Sequence, residues 1–451
     1  MTYIRGMVPL PLLIAYAAPA LPLAMLTLPV YVVLPSHYAG TVGLATVGVV
    51  LLLARLWDGV TDPLVGWLSD RTRTRFGRRR PWILAGLPLT LLSVWQLLVP
   101  PEGAGALHLL VWSMALYLGW TLMIVPMSAW GAEISGDYDQ RTRIAGARET
   151  AVVLGTMAAL GLPVALGAGG AGQEGETLRI VAVATVILLP IAVVYQLIAV
   201  PEPAAPRGPP APAAGGWRVL WGNKPFRRLL AAYLLNGFAN GLPATLFLLF
   251  VAQVLGAGPE AGALLFVYFL CGVISVPVWV RVSARFGKHR TWSVAMLACC
   301  VAFATVPFLG PGDIWAFAAM CVATGLMLGA DLVLPSSMQA DVVDLDTLRT
   351  GVARTGLYFA LWSLATKLAT ALAVGIAFPV LDMAGFRSEG PNPGGALTAL
   401  VVLYAIVPIG CKLAAVALLW TYPIDAVRQA RLRRLVERRL ARTERLSAAQ
   451  A

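Results

Sequence analysis

The chain has 451 residues, of which 59% are hydrophobic and 12% charged, with a net charge of +12 and a mean hydropathy of +0.77. Charge that sparse cannot clothe the surface of a soluble protein of this length, so the solvent around most of the chain is lipid. The expected class is an all-α integral membrane protein, because the short alternating segments of a membrane β-barrel are absent.

Twelve apolar runs follow one another, each near the roughly 18–20 residues a helix needs to cross the hydrocarbon core. In the first half they are 10–34, 40–57, 82–99, 107–130, 146–166 and 180–200. The first run is too long for the apolar core of a leader and lacks a small-residue cleavage site, so it is expected to be the first span. Residues 201–216, PEPAAPRGPPAPAAGG, then break the pattern with the composition of an extended linker. The second half repeats the series with 229–255, 261–280, 291–309, 314–338, 356–381 and 396–420. The expected division is a six-helix half over 1–200, a linker over 201–224, a second six-helix half over 225–421 and a basic tail over 422–451. In that tail Leu432, Leu435, Val436 and Leu440 recur at helical spacing among eight arginines, the pattern of a helix lying on an anionic membrane face.

The distribution of charge argues against nucleic acid as the partner. Of the 34 Lys and Arg residues, all but Arg55, Arg179, Lys367, Arg387 and Lys412 fall in the termini and the connections on one side of the predicted topology. That asymmetry predicts a multi-pass protein of a bacterial-type inner, or plasma, membrane with both termini in the cytoplasm. The five cysteines, Cys271, Cys299, Cys300, Cys321 and Cys411, all lie in apolar runs and are read as small core residues.

The two halves echo each other. Arg75-Phe76-Gly77-Arg78-Arg79-Arg80-Pro81-Trp82 returns 210 residues later as Arg285-Phe286-Gly287-Lys288-His289-Arg290-Thr291-Trp292. Glu133, Asp139 and Arg148 return as Asp341, Asp346 and Arg354 at offsets of 206 to 208. Two echoes at nearly one offset imply two pseudo-symmetric six-helix halves, the arrangement of the major facilitator fold with about 12 transmembrane helices.

The most informative segment is the second run and the loop after it. Asp58 and Asp62 stand four residues apart and share a helical face with Arg55, three residues before Asp58. Two carboxylates in lipid cost several kcal/mol each unless they face the interior and are paired or hold a cation. Two hard oxygen donors one turn apart suit Na⁺ or Li⁺, and one carboxylate with a raised pKa would suit H⁺.

Taken together, Trp57-Asp58-x-x-x-Asp62-Pro63-x-x-Gly66 and Asp70-Arg71-x-Arg73-x-Arg75-x-Gly77-Arg78 resemble the signature of the glycoside–pentoside–hexuronide:cation symporters. The segment Ala340-Asp341-Val342-Val343-Asp344 with Gly351 resembles that family's loop after the tenth span, and 359–368 resembles its eleventh span. The resemblance covers nearly the whole chain. It implies a secondary active transporter that couples a sugar, glycoside or related small solute to Na⁺ or H⁺ by alternating access. It places the cation at Asp58, Asp62 and Thr121, with Thr61 where the family commonly has asparagine. It makes Lys367 a charge partner of the two aspartates, beside Arg55. On the solute side it points to Arg148, followed by Glu149. The span-one and span-four aspartates of the melibiose permeases are missing here, the latter position being Ile124. Asp331 is then a replacement acceptor from the second half, and the aromatics Trp120, Tyr358, Trp362 and Trp130 are candidates for stacking on a sugar ring.

The loop carries a candidate cytoplasmic gate of Asp70, Arg71, Arg75 and Arg78, with Glu133, Arg141 and Arg148 as partners. A lysolipid or an anionic sugar is the alternative solute, and a non-transporting assembly or sensor protein on the same scaffold is the remaining reading. Phosphate-loop and HExxH patterns are absent and His37, His108 and His289 are scattered, so no catalytic role and no cofactor besides the coupling ion is expected. The expected working unit is a monomer in the bilayer.

Overall fold

The computed structural model describes residues 7–168, 173–202, 222–350, 354–387, 392–425, 427–432 and 434–435. Most of the expected linker, Gly351 and the tail from Val436 onward, including Leu440, lie outside the described residues.

The first apolar run is interrupted by its own prolines. It forms α1 (Leu10–Ala17), α2 (Ala20–Met25), a π turn at Pro29–Val33 and α3 (Leu34–Val42). Pro19 and Pro29 lack the N–H that would continue the hydrogen-bond ladder, so what the sequence suggests as one span over 10–34 is broken and runs on to Val42. Gly43, at φ 83°, separates it from α4 (Leu44–Arg71). The rest of the first half is α5 (Arg80–Leu98), α6 (Ala106–Ile134), α7 (Tyr138–Ala165) and α8 (Glu174–Ala199). The second half is α9 (Lys224–Gln253), α10 (Ala261–Phe286), α11 (Lys288–Phe303), α12 (Ile314–Thr350), α13 (Thr355–Met383), α14 (Gly394–Val401) and α15 (Val407–Leu419).

Nine helical segments among the described residues are long and apolar enough to cross a membrane. Helices α4 and α7, at 28 residues each, have the length as well but carry the charged side chains discussed below. Helix α4 shows why charge inside a span is tolerated. Leu52, Leu56, Val60 and Leu64 form an exposed stripe at four-residue spacing, while Asp58 and Asp62 are buried. An apolar ridge turned outward and acids turned inward is the reverse of a water-soluble helix.

The chain divides into two compact units. The first comprises residues 1–213, 343–363 and 432–451, and so takes in the end of α12 and the start of α13; the second comprises 214–342 and 364–431. The core of the first unit is mainly aliphatic, built around Leu23, Met123, Met127 and Leu189, with Trp130 and Tyr16 among them. The core of the second is aromatic: Phe250 stacks on Tyr404 at 4.3 Å and on Phe317 at 5.4 Å between ring centroids. Each unit begins a helix from the echoed loop, and in each the loop glycine is left-handed, at φ 104° for Gly77 and 85° for Gly287.

Candidate functional site

Three buried side chains of the first unit converge on one point. Asp58 and Asp62 are adjacent turns of α4, and Thr121 reaches them from α6. The Thr121 hydroxyl lies 2.7 Å from Asp62 Oδ1 and 3.2 Å from Asp58 Oδ1. Asp58, Asp62 and Thr121 are each at most 2% exposed. A hydroxyl carries one proton, so it donates to one carboxylate at a time. Two carboxylates drawn to one hydroxyl form a small, concentrated patch of oxygen ligands, suited to a proton or a compact hard cation. Thr61 is buried beside them, but its hydroxyl donates to the backbone carbonyl of Asp58 at 3.1 Å, turned along its own helix. Arg55 lies over the ring of Tyr117, 5.2 Å from its centroid.

A second cluster ties the echoed loop of the first unit together. Arg79 is fully buried and reaches three side chains. Its Nη1 donates to Ser69 Oγ at 2.8 Å, its Nη2 to Asp70 Oδ1 at 2.8 Å and to Glu133 Oε1 at 2.7 Å, and its Nε to Glu133 Oε2 at 3.4 Å. Burial would depress the ionisation of this guanidinium, but Glu133 and Asp70 beside it raise it above its ordinary range, so it stays charged. Arg78 pairs with the same Glu133. Asp70 in turn accepts from the backbone N–H groups of Gly356 at 2.8 Å and Leu357 at 3.0 Å. A carboxylate there satisfies the free amides at the N-terminus of α13 and complements its dipole.

Close contact makes this cap possible. A Cβ on Gly66 would fall 2.6 Å from the carbonyl oxygen of Gly356, and one on Gly356 would fall 2.5 Å from that of Gly66. Nearby, Arg141 grips Asp344 with two bonds of 2.7 and 3.1 Å and donates to the Ser135 carbonyl at 3.1 Å. Such two-pronged charged bonds are among the stronger ones a protein makes.

Among the gate candidates, Asp70, Arg78 and Arg141 are therefore held in buried ion pairs within the first unit. Arg71 lies over the Trp67 ring at 3.9 Å, and Arg75, exposed in the turn, lies over Phe76 at 4.8 Å. Arg79 is central to the network, although the sequence reading had it only as part of a basic run. It is the middle one of three consecutive arginines, more charge than topology alone requires.

The solute-side candidates are spread over the chain. Arg148 pairs with its neighbour Glu149 and donates to Ser128 Oγ at 2.9 Å. Trp120 is half-buried against a second core cluster that includes Leu97 and Leu116, Tyr358 and Trp362 are buried, and Trp130 donates its indole N–H to the Pro201 carbonyl at 3.2 Å. Lys367 is half-buried on α13 within the second unit. Asp331 also belongs to the second unit, where its ion partner is Lys412 at 3.2 Å. In the sequence Lys412 stands inside the apolar run 396–420, with no motif that assigns it a role. Its signal, a lone charge midway through an apolar run, is one that it shares with Lys367.

The family described as MFS/sugar transport protein matches residues 15–426. The chain belongs to that family. It is 27% identical over 429 residues to the human sodium-dependent lysophosphatidylcholine symporter 1, covering 86% of this chain and 78% of the relative. It is 25% identical over 397 residues to a glucuronide carrier protein homologue of Escherichia coli K12, covering 85% of each. Among solved structures, the E. coli fucose:proton symporter superposes with a TM-score of 0.66 at 13% identity, covering 92% of this chain and 98% of that one. A bacterial homologue of the iron transporter ferroportin, in an outward-facing state, gives 0.64 at 14% identity, covering 91% and 98%. These two likenesses establish the major facilitator fold. This MFS sugar-transport-family chain is a multi-pass membrane protein of the symporter class, as the resemblance in its second span implies.

Proposed function

We propose that this chain is a secondary active symporter in which Asp58 and Asp62 hold a monovalent cation, Na⁺ or H⁺, whose entry drives a small solute across the membrane. The observation that carries the reading is the single Thr121 hydroxyl shared by both carboxylates. Buried acids of that kind are costly to keep in a membrane protein and mark ion paths. A cation crossing 100 mV releases about 2.3 kcal/mol, enough to accumulate a neutral solute roughly 50-fold. The sodium dependence in the human relative's name and the proton coupling in the fucose symporter's title support a cation, without choosing between the two.

The residues divide as follows. Thr121 orients the pair, Lys367 is assigned the opposing positive charge, and Arg55 contributes to the local field. Arg148 and Glu149 belong to the solute side. The Asp70–Arg79–Glu133 network and the Arg141–Asp344 pair hold the loop ends together, and their rupture is assigned to the opening of a gate on the cytoplasmic side. The excess of basic residues on that side supports cytoplasmic termini and an inner-membrane location.

The test is charge movement in proteoliposomes with a panel of neutral glycosides, hexuronides and lysophosphatidylcholine, each under a Na⁺ gradient and separately under a pH gradient. The expected result is a solute-evoked current in the wild type that is absent in Asp58→Asn and in Asp62→Asn. Equal currents in both variants would remove the cation assignment.

A lysolipid is the second reading of the solute. It rests on the human relative, whose name specifies lysophosphatidylcholine. A response confined to lysophosphatidylcholine in the same panel would select it.

A further inference from the structure

The second unit contains a polar cluster that the cation reading does not use. Lys412, fully buried on α15, donates through Nζ to Asn236 Oδ1 at 2.8 Å, Asn240 Oδ1 at 2.7 Å and Asp331 Oδ2 at 3.2 Å. An ammonium has three protons, and all three are used. Asp331 also accepts the indole N–H of Trp292 at 2.6 Å on Oδ1 and the Asn240 amide at 3.0 Å on Oδ2. The charges cancel, as burial among apolar helices demands.

Beside this cluster lies a cavity of about 400 Å³, within the second unit, walled in part by Tyr233, Asn236, Asn240, Asp331, Thr366 and Thr370. Lys412 is not on its wall. The cavity meets the carboxylate, while the balancing positive charge lies behind it. Gly237 and Gly241 bring α9 close to α13: a Cβ on each would fall 3.0 Å from Ala369 Cβ and 2.7 Å from Ala373 Cβ. On the cavity wall, the exposed Tyr233 and Thr366 hydroxyls are 2.8 Å apart.

We propose that this cavity is a solute subsite selective for a neutral, polyhydroxylated solute, with Asp331 accepting a solute hydroxyl and Lys412 as the positioning residue that fixes and charge-compensates it. The reading rests on the transport function proposed above and names its solute class. A carboxylate offers about four lone-pair positions, three of which are taken, so one hydrogen bond remains for a donor in the cavity. The wall hydroxyls and amides can both donate and accept, which matches a polyol and not a single fixed charge. An anionic sugar would bring its carboxylate against Asp331. A choline head has no N–H or O–H to donate, and its charge would be a second cation beside a carboxylate that Lys412 already neutralises. The volume is within the roughly 300–1,000 Å³ of small-molecule sites.

The test is isothermal titration of the purified chain in detergent with methyl β-D-glucopyranoside, D-glucuronate and glycerophosphocholine. The expected result is binding of the neutral glycoside alone, weakened at least about tenfold by Asp331→Asn, the scale of one charge-assisted hydrogen bond. Because Asp331→Asn strands Lys412, the double variant Asp331→Asn/Lys412→Met supplies a charge-free cluster that can fold, and it is expected to lose binding equally. Lys412→Met alone is expected to give glycoside binding a pH dependence that the wild type lacks, a readout that mere loosening of the fold would not produce. Wild-type affinity in the double variant overturns the proposal. So does binding of glucuronate or glycerophosphocholine in preference to the glycoside, or binding of none of the three. The two readings fail separately. Cation-driven current lost in Asp58→Asn, with no glycoside binding, sinks the subsite and leaves symport standing. Glycoside binding that depends on Asp331, with cation coupling intact in Asp58→Asn, does the reverse.

Discussion

The two units solve the same structural problem at the loop and diverge in mid-helix. In the first, Arg78 and Arg79 from the loop reach Glu133 at the end of α6. In the second, Lys288, at the position echoing Arg78, reaches Asp341 at 2.6 Å. Each pair is buried, and each follows a left-handed glycine that turns the loop into the next helix. Higher up the correspondence ends. At the offsets of the two echoes, Asp58, Asp62 and Thr121 meet Tyr268, Gly272 and Gly329. A Cβ on Gly329 would fall 2.3 Å from Ser275 Oγ and 3.0 Å from the Gly272 carbonyl oxygen, so the second unit closes by helix contact where the first holds acids. The second unit places its own polar residues elsewhere, at Asp331 and Lys412. The repeat supplies a scaffold, and each half puts a different chemistry on it.

The comparison is broken most severely at Arg79. Arg79→Gln removes the ion partner of Asp70 and one of the two ion partners of Glu133, and is expected to lower stability by about 3–5 kcal/mol. Lys288→Gln removes a single buried ion pair, that with Asp341, and is expected to cost less. Thermal unfolding of both variants in one detergent checks the order; equal losses would mean that the extra partners of Arg79 contribute nothing.

The next effects are functional. Asp62→Asn is expected to reduce apparent cation affinity about 100-fold, the upper range for one charged ligand, while Gly329→Ala in the second unit leaves the cation response in place and costs about 1–3 kcal/mol of stability through overpacking. Cation-dependence curves for uptake, read beside melting curves, separate the two. Thr121→Val removes the shared hydroxyl and is expected to weaken the cation about tenfold. The smallest change is Thr61→Val, expected to shift cation affinity less than about twofold, because that hydroxyl serves a backbone carbonyl. A tenfold loss there would restore Thr61 as a ligand.

Much of this was legible in the sequence because lipid makes charge conspicuous. Asp58, Asp62 and Thr121 come together as the spacing on one span and the family resemblance implied. The twelve apolar runs locate the helices, but Pro19 and Pro29 break the first one and a π turn at Val402–Ile406 divides the last into α14 and α15, local effects that hydropathy does not register. Arg79 was obscured for the opposite reason: in a basic loop, an arginine needed for topology and an arginine buried between two acids look alike. Lys412 was visible as a lone cation, but its partners Asn236, Asn240 and Asp331 come from two other helices, and only the fold assembles them.

The most direct test of the central claim is infrared difference spectroscopy of the purified chain, following carboxylate stretching bands on adding Na⁺ at constant pH and on lowering pH without Na⁺. The account predicts that at least one of the two produces a difference band, and that the band disappears in the Asp58→Asn/Asp62→Asn double variant. Bands of unchanged size in that variant would place the coupling ion elsewhere and contradict the account.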